Sequence, residues 1–101
     1  MAQFDVYRNL SKTTSAKMPY LLDIQNDLHS RLHTRLVVPL VLGAKPVRHM
    51  TPVFEIEGQS VVMYTMDMTS VMQDMLSVKV TNIEEHRTQI VDALDFLVNG
   101  F

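Results

Sequence analysis

Two histidines, His29 and His33, are the first residues in this sequence whose spacing could support chemistry, because they lie four positions apart. On a helix, that spacing places two imidazoles on the same face, where they could bind a metal ion. A metal site needs at least a third ligand, and the sequence places none beside them. We therefore interpret both histidines as solvated polar residues next to Arg31 and Arg35. We predict neither a metal site nor a cofactor.

The other residue types give no catalytic pattern. His49 and His86 stand alone and are interpreted as polar surface residues. The chain has no cysteine, no serine in a G-x-S-x-G setting, and glycines that are far apart, which argues against a nucleophile elbow and a phosphate-binding loop. Four carboxylates near the C-terminus form two pairs on a solvated helix face, Glu84 with Glu85 and Asp92 with Asp95. We predict that the protein is not an enzyme.

The composition predicts one domain spanning residues 1–101. With 47% hydrophobic and 20% charged residues, the chain can bury its own core. Its net charge of −2 and pI near 6.0 provide no basic field for direct nucleic-acid binding. The lack of cysteine fits a reducing compartment, and the sequence has neither a signal-peptide pattern nor an apolar run of the ~20 residues that cross a bilayer. We therefore expect a cytoplasmic location.

Hydrophobic alternation in the first half of the chain predicts β-strands. Short candidates lie at residues 4–7 and 20–24, and "RLVVPLVL" at residues 35–42 is the strongest. Pro39 interrupts this segment, and because proline cannot donate to a β-ladder, we expect an edge position, a bulge or a bend there. The segment "PVFEIEGQSVVMYTM" predicts a hairpin that turns at Glu57 and Gly58.

The last segment predicts a C-terminal helix at about residues 82–98. Thr81 and Glu84 form a capping-box pattern, and Gly100 follows where a helix-terminating glycine belongs. Four apolar residues form one helical stripe: Ile83, Ile90, Leu94 and Leu97. Phe96 lies off this stripe, so we expect it to be exposed and to form an interaction surface with Phe101. Strands followed by one helix predict a mostly β fold, an antiparallel barrel or sandwich with a docked helix.

Methionines crowd the stretch "MYTMDMTSVMQDM", which contains Met63, Met66, Met68, Met72 and Met75. Flexible thioether side chains fill irregular gaps in a small core, and they also form adaptable surfaces for partners. The sequence leaves both interpretations open, and we expect some of these side chains to be exposed.

The segments "QFDVYRN", "LDIQNDL", "RLVVPL", "PVFEIEGQ", "MYTMDMTSV" and "HRTQIVDALDFLVNGF" occur in an order that resembles the CcdB family of bacterial toxin–antitoxin modules. The resemblance covers essentially all of residues 1–101. It implies an SH3-like β barrel with an additional small antiparallel sheet and a C-terminal helix, working as a homodimer. It also implies a toxin that binds the A subunit of DNA gyrase and traps the cleaved-DNA complex. A cognate antitoxin would neutralise it through a disordered segment, and the two together would repress their operon, so that DNA is contacted only through that complex.

The resemblance also implies which residues contact each partner. The gyrase contacts fall on Asp95, Val98, Asn99, Gly100 and Phe101, with a further patch at Leu28 and His29. The antitoxin segment is expected to be acidic, so we place it on the loop "LSKTTSAK", the connection at residues 43–48 and the methionine-rich stretch. The candidate antitoxin contacts are Lys12, Lys17, Lys45, Met66, Met68 and Met72.

Three positions depart from the best-studied members of that family. Those members carry tryptophan where this chain has Asn99, isoleucine where it has Phe101, and proline where it has Met72. Losing an aromatic anchor at a binding hot spot costs about 2–4 kcal/mol of target affinity. The sequence therefore predicts the fold of the family more firmly than the potency of its toxins.

Two other functions compete with gyrase binding. A ribonuclease toxin on the same barrel would gather an arginine and an acid or base at an RNA groove, for which Arg31, Arg35 and Arg48 are the candidates. The other alternative is a weakened homologue that mainly binds antitoxin. Growth arrest on expression would distinguish an active toxin from the weakened homologue. Cleaved cellular RNA would then indicate the ribonuclease, and cleaved DNA would indicate the gyrase-binding toxin.

Overall fold

Seven β-strands and one C-terminal α-helix are found in residues 1–27 and 31–100, which are the residues that the computed structural model describes. The elements are β1 (Asp5–Arg8), β2 (Tyr20–Asp23), β3 (Thr34–Val41), β4 (Val53–Ile56), β5 (Gln59–Met63), β6 (Thr69–Met72), β7 (Lys79–Asn82) and α1 (Arg87–Asn99). The predicted mostly β fold with a C-terminal helix is confirmed. None of the described helices is long and apolar enough to cross a membrane.

The strands form one curled antiparallel sheet in the order β4-β5-β3-β2-β1-β7, with β6 as a branch beside β3. The first half of β3 pairs with β6 and its end pairs with β5. Pro39 lies between these two halves, and its carbonyl accepts the N–H of Tyr64 at 3.0 Å. The N–H and C=O of a strand residue point to the same side, so the N–H that proline lacks would fall in the gap between β6 and β5. This gap lets proline occupy an interior strand, where we had expected an edge, a bulge or a bend.

One face of the sheet packs against α1 and holds the main core. The helix contributes Ile90 and Ala93, which are buried against side chains from β1 to β5. In β4 the alternation is regular, since Phe54 and Ile56 are buried while Val53 and Glu55 are exposed. Burying one such aliphatic or aromatic side chain contributes roughly 1.5–3 kcal/mol, so α1 is fixed to the body mainly by its middle turns.

The helix begins later than the sequence predicts. Thr81 is an exposed residue of β7 and pairs with Val6, so the predicted capping box is wrong. Instead, the side-chain oxygen of Asn82 accepts the N–H of Glu84 at 2.9 Å and starts a 3-10 turn that leads into α1. Pairing with a strand distant in sequence has outweighed the local capping preference. At the other end the prediction is confirmed, because Gly100 adopts a φ of 77° and donates to the carbonyl of Phe96.

The predicted hairpin turn at Glu57 and Gly58 is confirmed, and both residues have positive φ angles of 52° and 77°. Glycine adopts this conformation freely, whereas glutamate does so at a cost. The Glu57 carboxylate accepts hydrogen bonds from Arg8 at 3.0 Å and from the Tyr20 hydroxyl at 2.6 Å. These contacts fasten the tip of the β4–β5 hairpin to β1 and β2, and they help to keep the sheet curled.

The Glu57 contacts predict a specific dependence of stability on pH. Hydrogen bonds from Tyr20 and Arg8 hold the pKa of Glu57 below its ordinary value of 4.5. A carboxyl whose pKa is lower in the folded state stabilises the fold above the unfolded pKa, and this contribution disappears as the pH falls through the folded pKa. The stability gap between wild type and Glu57→Gln should therefore be constant above about pH 5 and should close in acid. Thermal unfolding from pH 7 to pH 3 measures it.

Glu55→Gln is the matched control, because Glu55 is an exposed carboxyl of the same hairpin with no ion pair among the described residues. We expect this control to follow the wild-type curve at every pH. A gap for Glu57→Gln that stays constant down to pH 3 would contradict the assigned role of the Glu57 carboxylate.

Candidate functional site

The end of α1 gathers four of the residues that the sequence assigns to target binding. Asp95, Val98, Asn99 and Gly100 are all exposed, and Val98 is 76% exposed although it is apolar. Leu28, His29 and Phe101 lie outside the described residues, so their part in this surface stays a prediction. The last turn of the helix thus presents an aliphatic side chain, an amide and a carboxylate to solvent, next to a middle turn that is buried.

Phe96 is half-buried, so the expectation that it is exposed is wrong. The centroid of its ring lies 5.5 Å from the centroid of the His49 ring, and the angle between the two ring planes is 39°. The loop that joins β3 to β4 folds back over this side of α1 and provides the contact. Between loop and helix runs an open groove of about 550 Å³, whose walls include Arg48 on the loop and Asp92 and Asp95 on the helix. The groove therefore carries charges of both signs and adjoins the exposed end of α1.

A second groove, of about 390 Å³, lies where the three predicted antitoxin segments meet. Lys17 lines it from the first loop, Gly43 and Ala44 from the connection after β3, and Tyr64 and Asp67 from the methionine-rich stretch. Segments that are distant in the sequence therefore form one concave surface, at which a lysine is already present.

Two further lysines of the predicted antitoxin surface, Lys12 and Lys45, are exposed. Each is adjacent in the sequence to a residue that lines the second groove: Lys12 to Thr13, and Lys45 to Ala44. Lys17 and Asp67 thus line the groove itself, and two more exposed lysines lie next to its lining residues in the sequence.

The loop beside this groove is held by a buried asparagine that the sequence did not single out. The Asn9 side chain donates to the carbonyl of Met18 at 2.8 Å and to the hydroxyl of Thr14 at 3.0 Å, and it accepts the N–H of Ser11. The N–H of Leu42 donates to the carbonyl of Lys17 at 2.8 Å, which ties the loop to the end of β3. These bonds order a segment that composition alone predicted to be a polar loop.

The methionines divide between core and surface, which confirms the expectation that some of them are exposed. Met63 is fully buried, and Met66 and Met68 are half-buried. Met72 and Met75 are 51% and 59% exposed. Met72 borders a different depression, together with His33, Gln73 and Asp74. The structure therefore places Met72 apart from the second groove.

Arg35 is buried rather than available at an RNA groove. Its side chain is 1% exposed, and its Nε donates to the fully buried carboxylate of Asp23 at 2.8 Å. Burial raises the pKa of Asp23, and the hydrogen bonds from Arg35 and from the N–H of Gln25 only partly offset it. Of the three arginines in the ribonuclease alternative, only Arg31 and Arg48 are exposed. The structure therefore removes one of the three candidate arginines from that hypothesis.

Asp5 is a second buried carboxylate near this pair. Burial raises its pKa, but hydrogen bonds from the side chain of Asn82 and from the N–H of Ala2, together with Lys79, outweigh burial and leave the pKa below its ordinary value. The Tyr7 hydroxyl donates to Asp5 at 3.2 Å, and burial together with Asp5 raises the pKa of Tyr7 to about 12. The cluster joins β1 to β7, with Asp5 and Tyr7 buried in it and Lys79 about half exposed at its edge. It serves the fold.

No metal-binding group was found in the part of the chain that is described. Among residues 1–27 and 31–100, no three or more His, Asp or Glu side chains are grouped in a way that could hold a metal ion. His33 is exposed there, and its predicted neighbour His29 lies outside the described residues.

A comparison with protein-family models finds a match to the family described as CcdB protein, over residues 3–100. The chain belongs to the CcdB family. A search against curated proteins finds no match. Membership makes this chain a toxin of a toxin–antitoxin module, and the resemblance inferred from the ordered segments is confirmed.

Within the CcdB family, the departure at Met72 leaves the backbone suited to proline. Met72 has φ −66° and ψ 137°, which is the region that proline adopts. The N–H of Gln73 donates to the carbonyl of His33 at 2.8 Å. The next pair along the ladder, Met72 with Thr34, is therefore non-hydrogen-bonded, and the N–H of Met72 points away from β3. The backbone at Met72 would therefore also accept the proline that the family resemblance implies at this position.

Proposed function

We propose that this CcdB-family toxin binds the A subunit of DNA gyrase through the exposed end of α1. The observation that carries the proposal is the division of the helix into two parts. Ile90 and Ala93 anchor its middle in the core, whereas Val98, Asn99 and Gly100 project into solvent. An exposed apolar side chain on a helix whose middle is held in the core can meet a partner at a lower cost of ordering.

The proposed mechanism is selective binding. Gyrase passes through a state in which its DNA is cleaved, and a ligand that binds this state more tightly than the others increases its population. The toxin would then need no catalytic group of its own. Trapping of the cleaved state would leave double-strand breaks when replication meets the complex.

A DNA cleavage assay with purified toxin, gyrase and supercoiled plasmid tests the proposal. We expect linear DNA to accumulate with increasing toxin when the samples are denatured and digested with protease, and not when gyrase is left out. A parallel incubation with purified messenger RNA tests the ribonuclease alternative. Cleaved RNA without gyrase, or no linear DNA at toxin concentrations up to the micromolar range, would refute gyrase trapping.

We propose that a cognate antitoxin neutralises the toxin by laying an acidic, disordered segment over the second groove. Three observations support this proposal: the three segments that meet at this groove, the lysine that lines it with two exposed lysines nearby in the sequence, and its half-buried methionine neighbours. Disordered segments that fold on a partner use such concave, charge-complementary surfaces. The same complex would repress the operon, with the antitoxin supplying the contacts to DNA.

Reversing the charge of Lys12, Lys17 and Lys45 together should weaken antitoxin binding and make the remaining affinity less sensitive to salt. The reason is that exposed opposite charges attract over distances that salt screens. Calorimetric titration at low and high salt measures both effects. Reversal of the charge of Arg31, an exposed cation that does not line this groove, is the control. Equal affinity of the triple variant and wild type would show that the segment binds elsewhere.

We further propose that the toxin is a homodimer, with the two α1 ends near its twofold axis. A pair of identical, exposed helix ends would then form one continuous surface, and isologous pairing is the commonest solution for homodimers. Light scattering should give twice the monomer mass at micromolar concentration. A monomer mass there would contradict the dimer without affecting the gyrase assay.

A further inference from the structure

The contact between His49 and Phe96 lies close to the exposed end of α1. Earlier in the helix, Ile90 and Ala93 are buried. Next to Phe96, Asp95 is exposed and Leu97 is half-buried. The centroids of the two rings lie 5.5 Å apart. His49 thus supports the last turn of the helix from the side that the apolar stripe does not cover.

The loop that carries His49 is held firmly by hydrogen bonds. The buried Thr51 hydroxyl donates to the carbonyl of Val47 at 3.0 Å and accepts the N–H of Val47. The N–H of Met50 also donates to the carbonyl of Val47, and the Thr65 hydroxyl donates to the carbonyl of Met50. The loop is therefore fixed both within itself and to the 3-10 turn that precedes β6.

His49 itself occupies an unfavourable backbone conformation. Its φ is 68°, in the left-handed region that side chains other than glycine adopt at a cost. Because the surrounding hydrogen bonds hold this conformation, the imidazole is directed at Phe96. Such locally strained residues are concentrated where a side chain must be aimed.

Phe96 links this contact to the tail. Its side chain meets His49, and its carbonyl accepts the N–H of Gly100 at 2.9 Å. Motion of the Phe96 backbone therefore moves the bond that sets the direction in which the chain leaves the helix. The body of the protein is therefore connected to Gly100 by three successive contacts. Hydrogen bonds hold the loop of His49, the His49 ring contacts the ring of Phe96, and the Phe96 carbonyl accepts the N–H of Gly100.

We propose that His49 is a positioning residue, which orders the last turn of α1 and so prepares the tail for its target. The part of this proposal that concerns target binding rests on the proposed function, whereas the ordering of Gly100 does not. His49 is exposed, so its side chain adds little to the core. Its effect should therefore be on local order and binding rather than on global stability.

The test compares His49→Ala with His49→Phe, which keeps an aromatic ring against Phe96. Arg48→Ala, a neighbouring exposed residue of the same loop, is the control. Amide hydrogen exchange followed by NMR should be several-fold faster at Asn99 and Gly100 in His49→Ala and unchanged at Ile90. His49→Phe and Arg48→Ala should match wild type, and all of the variants should unfold at nearly the wild-type temperature.

The gyrase cleavage assay gives the second measurement. His49→Ala should require several-fold more toxin for the same amount of linear DNA, and His49→Phe should restore the wild-type dose. Unchanged exchange at Gly100 in His49→Ala would overturn the proposal, as would equal losses of activity in the Ala and Phe variants. If wild type fails to trap gyrase while Gly100 still exchanges faster in His49→Ala, the proposed function fails and the positioning role stands.

Discussion

Deleting Asn99, Gly100 and Phe101 is expected to abolish gyrase trapping while leaving the fold almost unchanged. Asn99 and Gly100 are exposed, and the backbone bonds lost with them are those at the very end of α1, including the one from the Gly100 N–H to the Phe96 carbonyl. A single hydrogen bond at a helix end contributes about 0.5–1.5 kcal/mol. Removal of a buried phenylalanine would instead cost about 3–5 kcal/mol. The size of the stability change therefore decides whether Phe101 serves the fold or a partner.

Thermal unfolding, light scattering and the plasmid cleavage assay on the truncated protein measure this expectation. The melting temperature, the oligomeric mass and the affinity for antitoxin should all stay close to wild type, while linear DNA should not accumulate. Asn99→Trp is the matched gain-of-function variant, because it restores an aromatic anchor at an exposed position of the same tail. A truncated protein that unfolds would place Phe101 in the core. One that is stable and still traps gyrase would move the binding site elsewhere.

The parts of the fold that could be predicted are those specified by local sequence. The run from Thr34 to Val41 and the hairpin around Gly58 carry alternation and turn chemistry within a few residues. Gly100 likewise signals the helix end by its own conformational freedom. β6 and β7 were missed because each is short and is stabilised by a partner strand far away in the sequence. The same long-range pairing made Thr81 a strand residue and delayed the start of α1.

The candidate site shows the same limit. The family resemblance pointed to exposed residues at the end of α1, because a family motif is visible in the sequence itself; these are Asp95, Val98, Asn99 and Gly100. His49 and Asn9 were passed over, since their roles depend on which segment folds against them. Arg35 was placed at a surface because arginine is almost always exposed. A buried ion pair becomes visible only when Asp23, on the adjacent strand, is known to face it.

Arg35→Met is expected to destabilise the protein by about 3–5 kcal/mol, since it leaves the buried Asp23 carboxylate without its counter-charge. The free energy of unfolding of small domains is only about 5–15 kcal/mol, so this substitution would remove a large part of it. Asp5 adds to the effect, because its negative charge acts on Asp23 in the same buried cluster. Urea unfolding at pH 7 measures the change.

The pH dependence of this variant distinguishes loss of charge pairing from loss of packing. The pKa of Asp23 is already raised above its ordinary value of 3.8 by burial, and removing Arg35 takes away a group that lowers it. A carboxyl with a raised folded pKa costs stability while it is ionised, and this cost is relieved as the pH falls through the folded pKa. Arg35→Met should therefore be closer to wild type at pH 5 than at pH 7. Adding Asp23→Asn should recover part of the lost stability at pH 7, because the uncompensated charge is gone. A double variant no more stable than Arg35→Met, with a deficit independent of pH, would mean that Arg35 supports the sheet by its packing alone.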